Sequence, residues 1–290
     1  MDHILEARNL SKRYHDFTLS GVSLEIPRGC VTGFFGPTGA GKTTLMKLLA
    51  HQIPATAGTV RVFGLGYDRE EKGIKNRMGY VPQEPSYYGD RSVEFNARFA
   101  ASCFERWDGG CFYRLLDEFR VSRAKAVKHL SRGQKTLVSL ALALSHEADL
   151  LILDEPTAGL DVLLRRAILD RLRRFVADGE RTVIVSSHVT DGLDEIAEYV
   201  NFLDGGRMTF SAEKDELAAS WKRVHYRDGA LDPEVVRGLR DVSRQPFGHS
   251  GLTGDFAAIR ERLAPGIAAG EVKVENARLD DILIAILKGD

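Results

Sequence analysis

Apolar and polar residues alternate over Ile4 to Leu10 and again over Phe17 to Ile26, the period of two that half-buried strands show. Val31 to Phe35 reads instead as a short apolar strand that runs straight into a glycine-rich loop. Beyond the loop the spacing becomes that of a helix over Thr44 to His51, with Leu45, Leu48 and Leu49 on one face. Thr59 to Phe63 is a further strand. From Val93 to Val127 the pattern is helical, and the Asp108-Gly109-Gly110 triplet marks the expected break. Leu150 to Leu153 and Thr182 to Ser186 are the β-rich apolar runs of central parallel strands. An arginine-studded amphipathic helix over Leu163 to Val176 separates them.

This alternation of strand and helix implies an α/β domain with a mostly parallel core sheet. The composition shifts after about Phe210. A helix over Asp255 to Leu263, a strand over Glu271 to Val274 and a last helix over Leu279 to Leu287 suggest a small appended α+β domain. The expected organisation is therefore residues 1–210 as the main domain, with a helical part over roughly 84–145, and 211–290 as an accessory domain.

Composition narrows the function classes. The 290 residues suit one large or two modest domains, and 43% hydrophobic with 28% charged residues is ordinary for a globular chain. A formal net charge of -1 gives no basic field, so nucleic acid is not an expected partner. Cys30, Cys103 and Cys111 contain no CxxC pair and read as buried thiols in a reducing compartment rather than disulfides or metal ligands. The N-terminus has no apolar signal core, and the longest greasy stretch, Leu137 to Leu144, falls far short of a membrane span. A soluble, cytoplasmic chain is expected, and any pore would belong to another polypeptide.

The chemistry lies in short motifs. Gly36-Pro37-Thr38-Gly39-Ala40-Gly41-Lys42-Thr43-Thr44 fits G-x-x-x-x-G-K-[ST]. Glycines let backbone N–H groups wrap around phosphate oxygens, and the helix starting near Lys42 adds its positive end. Lys42 is expected on the β- and γ-phosphates of ATP, and Thr43 on Mg²⁺. A chance glycine turn is the bland alternative, and the flanking apolar strand and helix argue against it. Asp154 and Glu155 close the strand Leu150-Leu151-Ile152-Leu153, at the sheet edge where ligands bind in such folds. Asp154 is then a metal ligand and Glu155 the general base for an attacking water. Such an acidic pair is usually a solvated turn; the phosphate loop upstream reverses that expectation. Ser131 stands where a helix N-cap belongs, ahead of Leu137-Val138 and Leu140, so its hydroxyl, the Gly133 N–H and the helix dipole form a phosphate acceptor. Alone it would be no more than a capped helix.

Leu130-Ser131-Arg132-Gly133-Gln134 also resembles the LSGGQ signature of the ABC family, with arginine at the third position. Together with the phosphate loop and Asp154-Glu155, it makes the chain from roughly Ile4 to Met208 resemble the ATP-binding subunit of an ABC transporter. The resemblance implies the ABC form of the P-loop NTPase fold: a RecA-like parallel core sheet, an antiparallel β subdomain and an α-helical signature subdomain. It places Gln83 of Gly79-Tyr80-Val81-Pro82-Gln83 at Mg²⁺ or the attacking water, and His188 as the switch histidine beside Glu155. Asp161 matches the loop that crosses the dimer interface, and Tyr14 the aromatic that stacks on adenine, with His15 and Phe17 as alternatives. Ser131, Gly133 and Gln134 would meet ATP held by a second ATPase subunit, in a homodimer or a pair of different cassettes. An integral membrane permease would be the further partner, with the chain attached to the cytoplasmic face of the membrane.

The segment from Gly159 to Arg207 and the terminal helix resemble bacterial subunits paired with ABC-2-type permeases, most of which export. By the same analogy Glu84 to Val93, with Tyr87, Tyr88 and Arg91, lies near the groove for the permease. An importer subunit has the same ATPase motifs. A soluble ABC ATPase of repair or translation would carry coiled-coil insertions or a second cassette, and a nucleotide-sensing regulator would sit better with a damaged Lys42 or Glu155; neither pattern is present.

Overall fold

The computed structural model describes residues 2–188, 192–246 and 248–287, residue 287 by its backbone alone. It divides into two compact units, Met1–Ser211 and Ala212–Asp290.

The first unit contains two sheets. β1 (His3–Arg13), β2 (Thr18–Pro27), β4 (Ala57–Val62) and β5 (Leu65–Gly66) form an antiparallel sheet ordered β2-β1-β4-β5. The alternation read from sequence holds only in part: Leu5 and Ala7 are buried two apart, but Ile4 is buried beside Leu5, and shifts in the β1–β2 register leave Leu19 and Val22 three apart. β3 (Val31–Phe35), β6 (Met78–Val81), β7 (Leu150–Asp154), β8 (Thr182–Ser187), β9 (Tyr199–Asp204) and β10 (Arg207–Glu213) form the second, ordered β10-β9-β3-β8-β7-β6. The pairings β9–β3, β3–β8, β8–β7 and β7–β6 are parallel. β3, β7 and β8 are buried at every position, because helices cover both faces of a parallel sheet. On one face α1 (Lys42–Leu49) contributes Leu45, Met46, Leu48 and Leu49 to a core shared with Leu150, Ile152 and Ile184. α6 (Val162–Val176) lies against β3 and β8 and buries Ile168, Leu169, Leu172 and Phe175.

α2 (Tyr67–Asn76) precedes β6, and α7 (Leu193–Ile196) precedes β9. Between β6 and β7 stand α3 (Val93–Ala101), α4 (Gly109–Glu118), a 3-10 turn at Val127–His129 and α5 (Arg132–Leu144). The break in this helical stretch precedes the glycines. Asp108 caps α4 by accepting the Cys111 N–H at 2.8 Å, and Gly109 and Gly110 form the first turn. A side-chain cap satisfies N–H groups that have no helical partner, and this offsets the weak helix propensity of the glycine pair. Only Cys30 is a buried thiol; Cys103 is exposed and Cys111 half-buried, because they flank the α3–α4 connection outside the core. No helix among the described residues is long and apolar enough to cross a membrane.

The second unit opens with α8 (Lys214–Ser220). It continues as β11 (Lys222–Tyr226), α9 (Pro233–Gly238), β12 (Arg240–Gln245), β13 (Gly248–Thr253), α10 (Phe256–Ala268) and β14 (Val272–Asn276), and ends in α11 (Leu279–Leu287). The sheet order β12-β13-β11-β14 with antiparallel pairing is the split β-α-β-β-α-β arrangement. Val224, Tyr226, Val235, Leu263 and Val272 form its core. The terminal helix has the expected bounds, whereas α10 runs past Leu263 and through Pro265 to Ala268.

Candidate functional site

Register assembles the site. In the parallel sheet Phe35 lies opposite Ser187, Ser186 opposite Asp154, and Leu153 opposite Val81. Four chain segments therefore leave the sheet at one level and on one edge, where parallel α/β sheets bind ligands. They carry the glycine loop, Gln83, Asp154-Glu155 and His188.

Glu155 is the hub. Its carboxylate takes an ion pair from Lys42 Nζ at 3.6 Å, a hydrogen bond from Gln83 Nε2 at 3.4 Å and one from His188 Nδ1 at 2.9 Å. A carboxylate only accepts, so Nδ1 of His188 is the donor in this bond. The Glu155 backbone is itself unusual, with φ at 49°, a left-handed conformation that non-glycine residues adopt at a cost of about 1–3 kcal/mol. Its N–H is fixed by the carbonyl of Ser186 at 3.2 Å and the hydroxyl of the same residue at 3.1 Å.

Lys42 begins α1, and its ammonium donates to the carbonyls of Gly36 at 2.7 Å and Pro37 at 3.0 Å. Burial holds its pKa below the ordinary lysine range, opposed by the neighbouring charges of Glu155 and Asp154. The loop is closed by Ala40 N–H to Pro37 at 3.1 Å, and Gly41 enters the helix at φ 105°. A side chain at Gly36 would stand 2.1 Å from the Leu203 carbonyl oxygen, so only glycine lets β3 turn beside β9 here.

Asp154 is fully buried. Ser186 Oγ donates to its Oδ1 at 2.7 Å, while Oδ2, also enclosed, has no hydrogen-bond partner. Burial pushes its carboxyl above the ordinary value of 3.8, and the bond from Ser186 opposes the shift. The Thr43 hydroxyl lies within 3.5 Å of Gln83 Oε1. Asp154 Oδ2, the Thr43 hydroxyl and Gln83 Oε1 are hard oxygen donors, and an enclosed bare carboxylate oxygen calls for a cation. This set fits Mg²⁺, which takes one or two carboxylates and completes its shell with phosphate oxygens and water. Among the described residues no cluster of three His, Cys, Asp or Glu side chains offers an all-protein metal cage.

The structure thus brings Lys42, Thr43, Gln83, Asp154, Glu155 and His188 together. The remaining candidates stand elsewhere. Ser131 caps α5 in a reciprocal box: its Oγ accepts the Gln134 N–H and Gln134 Oε1 accepts the Ser131 N–H, each at 3.2 Å. Gly133 packs under Leu160, whose Cδ2 would be 2.5 Å from an added Cβ. Asp161 caps α6, accepting the N–H groups of Leu163 and Leu164 at 3.0 Å. Tyr14 is 45% exposed at the β1–β2 turn, with Lys12 Nζ 5.6 Å from its ring centre. Phe17 packs onto Gly41 and against the core, while His15 is exposed like Tyr14. Tyr87 donates to the Lys135 carbonyl at 3.1 Å, while Tyr88 is exposed and stacks edge-on with Phe95 and Phe99.

Sequence reasoning missed Ser186. Its signal was available: a polar residue inside a strand buried from end to end requires a partner, and here it has two.

Comparison with known proteins agrees with this geometry. A family model described as ABC transporter matches residues 19–158. The Nod factor export ATP-binding protein I of Cupriavidus pinatubonensis (strain JMP 134 / LMG 1197) is 33% identical over 223 residues, covering 75% of this chain and 68% of the relative. The probable multidrug ABC transporter ATP-binding protein YbhF of Escherichia coli (strain K12) is 29% identical over 248 residues; these cover 83% of this chain but 43% of that longer protein. A solved ATP binding subunit of an ABC transporter superposes with a TM-score of 0.67 at 26% identity, covering 74% of this chain and 92% of the other.

Proposed function

The chain belongs to the ABC transporter family as an ATP-binding subunit, and from that premise we propose that it is a Mg²⁺-dependent ATPase that drives a separate membrane permease. The observation that carries the reading is the convergence of Lys42, Gln83 and His188 on Glu155, beside the half-bonded carboxylate of Asp154.

The β- and γ-phosphates of ATP would replace the Gly36 and Pro37 carbonyls as partners of Lys42, which is already buried and aimed along the loop. Asp154, Thr43 and Gln83 would hold Mg²⁺, whose charge, when bound, offsets that of the β- and γ-phosphate oxygens. Glu155 would accept the proton of the attacking water, oriented by Gln83. His188 holds the Glu155 carboxylate through Nδ1 and so sets the direction from which that proton is taken. Tyr14 would stack on adenine.

Ser131 and Gln134 hydrogen-bond to each other rather than with this cluster, which supports a site completed by the signature helix of a second subunit. Two cassettes would then close head to tail around two ATP molecules, and loss of the γ-phosphate would loosen them. We assign the ATPase to residues 1–210 and an accessory role to 211–290. The permease is of ABC-2 type and the direction is export, a reading supported by the export named for the Cupriavidus relative; the subunit works at the cytoplasmic face of the membrane.

Glu155→Gln tests the assignment. It should bind ATP as before, lower turnover by about 10²–10⁴-fold and accumulate an ATP-bound dimer visible by light scattering. Turnover within tenfold of wild type would remove Glu155 from the role of base.

A further inference from the structure

Two enclosed polar atoms of complementary kind lie on one face of the sheet. β6 and β7 run parallel with Tyr80 opposite Ile152, so the Tyr80 side chain shares a face with Ile152 and with Asp154 two residues on. The Tyr80 ring packs against the core that contains Ile152 and the α1 leucines, while its hydroxyl is buried without a hydrogen-bond partner. Asp154 Oδ2 is buried without one as well, its other oxygen being held by Ser186. One atom is a donor and the other an acceptor, and phenylalanine would fill the core with the same ring without stranding a hydroxyl. Burial, and after it the charge of Asp154, push the phenol's pKa up, so Tyr80 keeps its proton and remains a donor. Lys47 on α1 is the cation whose charge also acts on Asp154 from this side.

We propose that Tyr80 is a positioning residue of the metal site, its hydroxyl orienting the Oδ2 oxygen of Asp154 across a bridging water. This goes beyond the role already given to Gln83, three residues on, and rests on the reading of Asp154 as a metal ligand. The consequence is a link between the strand that leads into Gln83 and the carboxylate that receives the cation. Tyr80 touches neither ATP nor the reacting atoms.

The test uses the full chain, saturating non-hydrolysable ATP analogue and Mn²⁺ as a spectroscopic probe read by electron paramagnetic resonance. Tyr80→Phe keeps the ring and removes the hydroxyl. It should weaken Mn²⁺ binding about tenfold or more, the usual effect of losing an outer-sphere partner. Nucleotide affinity in EDTA should stay within twofold, and the urea midpoint should stay close to that of the wild type, since the ring and its packing are kept. Mn²⁺ affinity within twofold of wild type would overturn the proposal, as would equal losses of metal-free nucleotide binding and of fold. Asp154→Asn separates the two levels. If it lowers Mn²⁺ affinity while Tyr80→Phe does not, only the role of Tyr80 fails; if it leaves Mn²⁺ affinity unchanged, the metal-site reading fails as well.

Discussion

Ser186→Ala removes a single oxygen that serves two groups. The hydroxyl donates to Asp154 Oδ1 at 2.7 Å and accepts the Glu155 N–H at 3.1 Å. The Glu155 N–H keeps the Ser186 carbonyl at 3.2 Å, so the backbone loses only a shared bond. Asp154 fares worse, because it is fully buried and loses its 2.7 Å hydrogen bond, with the Thr43 hydroxyl left as its remaining polar neighbour. A hydrogen bond to a charged group contributes about 1.5–3 kcal/mol, which sets the expected loss at about 2 kcal/mol where Asp154 is ionised. The same loss drives its carboxyl pKa higher still. Urea unfolding of the nucleotide-free full chain at alkaline pH, followed through the transition of the first unit, measures the cost. In an Asp154→Asn background the partner is neutral and the cost should drop to about 0.5–1.5 kcal/mol, leaving a coupling of about 1 kcal/mol in the double-mutant cycle. A loss below about 0.5 kcal/mol, or the same loss in both backgrounds, would refute the view that Ser186 stabilises the Asp154 charge.

Gly133→Ala should force the Leu160 side chain, 2.5 Å from the new methyl, to move; stability should fall by about 1–3 kcal/mol or less, and ATPase activity by tenfold or more, roughly, with partial recovery in Gly133→Ala/Leu160→Ala. Unchanged activity in the single variant would show that this contact does not govern the loop ending at Asp161. The pH dependence of Asp154 has a definite sign. Its folded-state pKa lies above the ordinary 3.8, so the buried charge destabilises the fold above the folded-state value, and this penalty disappears as pH falls below 3.8. Asp154→Asn should therefore be the more stable protein at neutral pH in EDTA, with the gap narrowing on acidification in thermal melts; a constant or widening gap would contradict the burial argument.

The parts of the site legible in sequence are those where the chemistry is local. Consecutive loop N–H groups, Lys42 and Thr43 must be neighbours to surround a phosphate, and Asp154-Glu155 must end an apolar strand to reach the sheet edge. Ser131 announces its cap because Gln134 stands three residues away, and the reciprocal bonds are both formed. What sequence did not reveal is contact between distant segments. Leu160 over Gly133 and Phe17 against Gly41 follow from packing, and no local pattern encodes them. The second unit was read only at its last two helices and last strand. In β11 only Val224 and Tyr226 are buried, and in β12 every residue is exposed, so the apolar period that betrays a strand is faint or absent.

The geometry leaves the site more open to movement of its loops than to change in the sheet. Glu155 receives Lys42 from the loop after β3, Gln83 from the segment after β6 and His188 from the segment after β8. Each partner arrives on a different strand end; β3 and β8 are locked by register and full burial, and β6, at the edge of the sheet, is held by its pairing with β7. The sheet cannot shift without breaking its ladder, so the freedom that remains lies in the loops. A displacement of the Gln83 segment by about 1 Å would carry its 3.4 Å bond beyond the hydrogen-bonding range and leave the core untouched. On the proposed function, a partner that presses on one loop would switch hydrolysis. The energy of the fold need not change for this, because the catalytic carboxylate is held by its neighbours and the sheet holds those neighbours only at their roots.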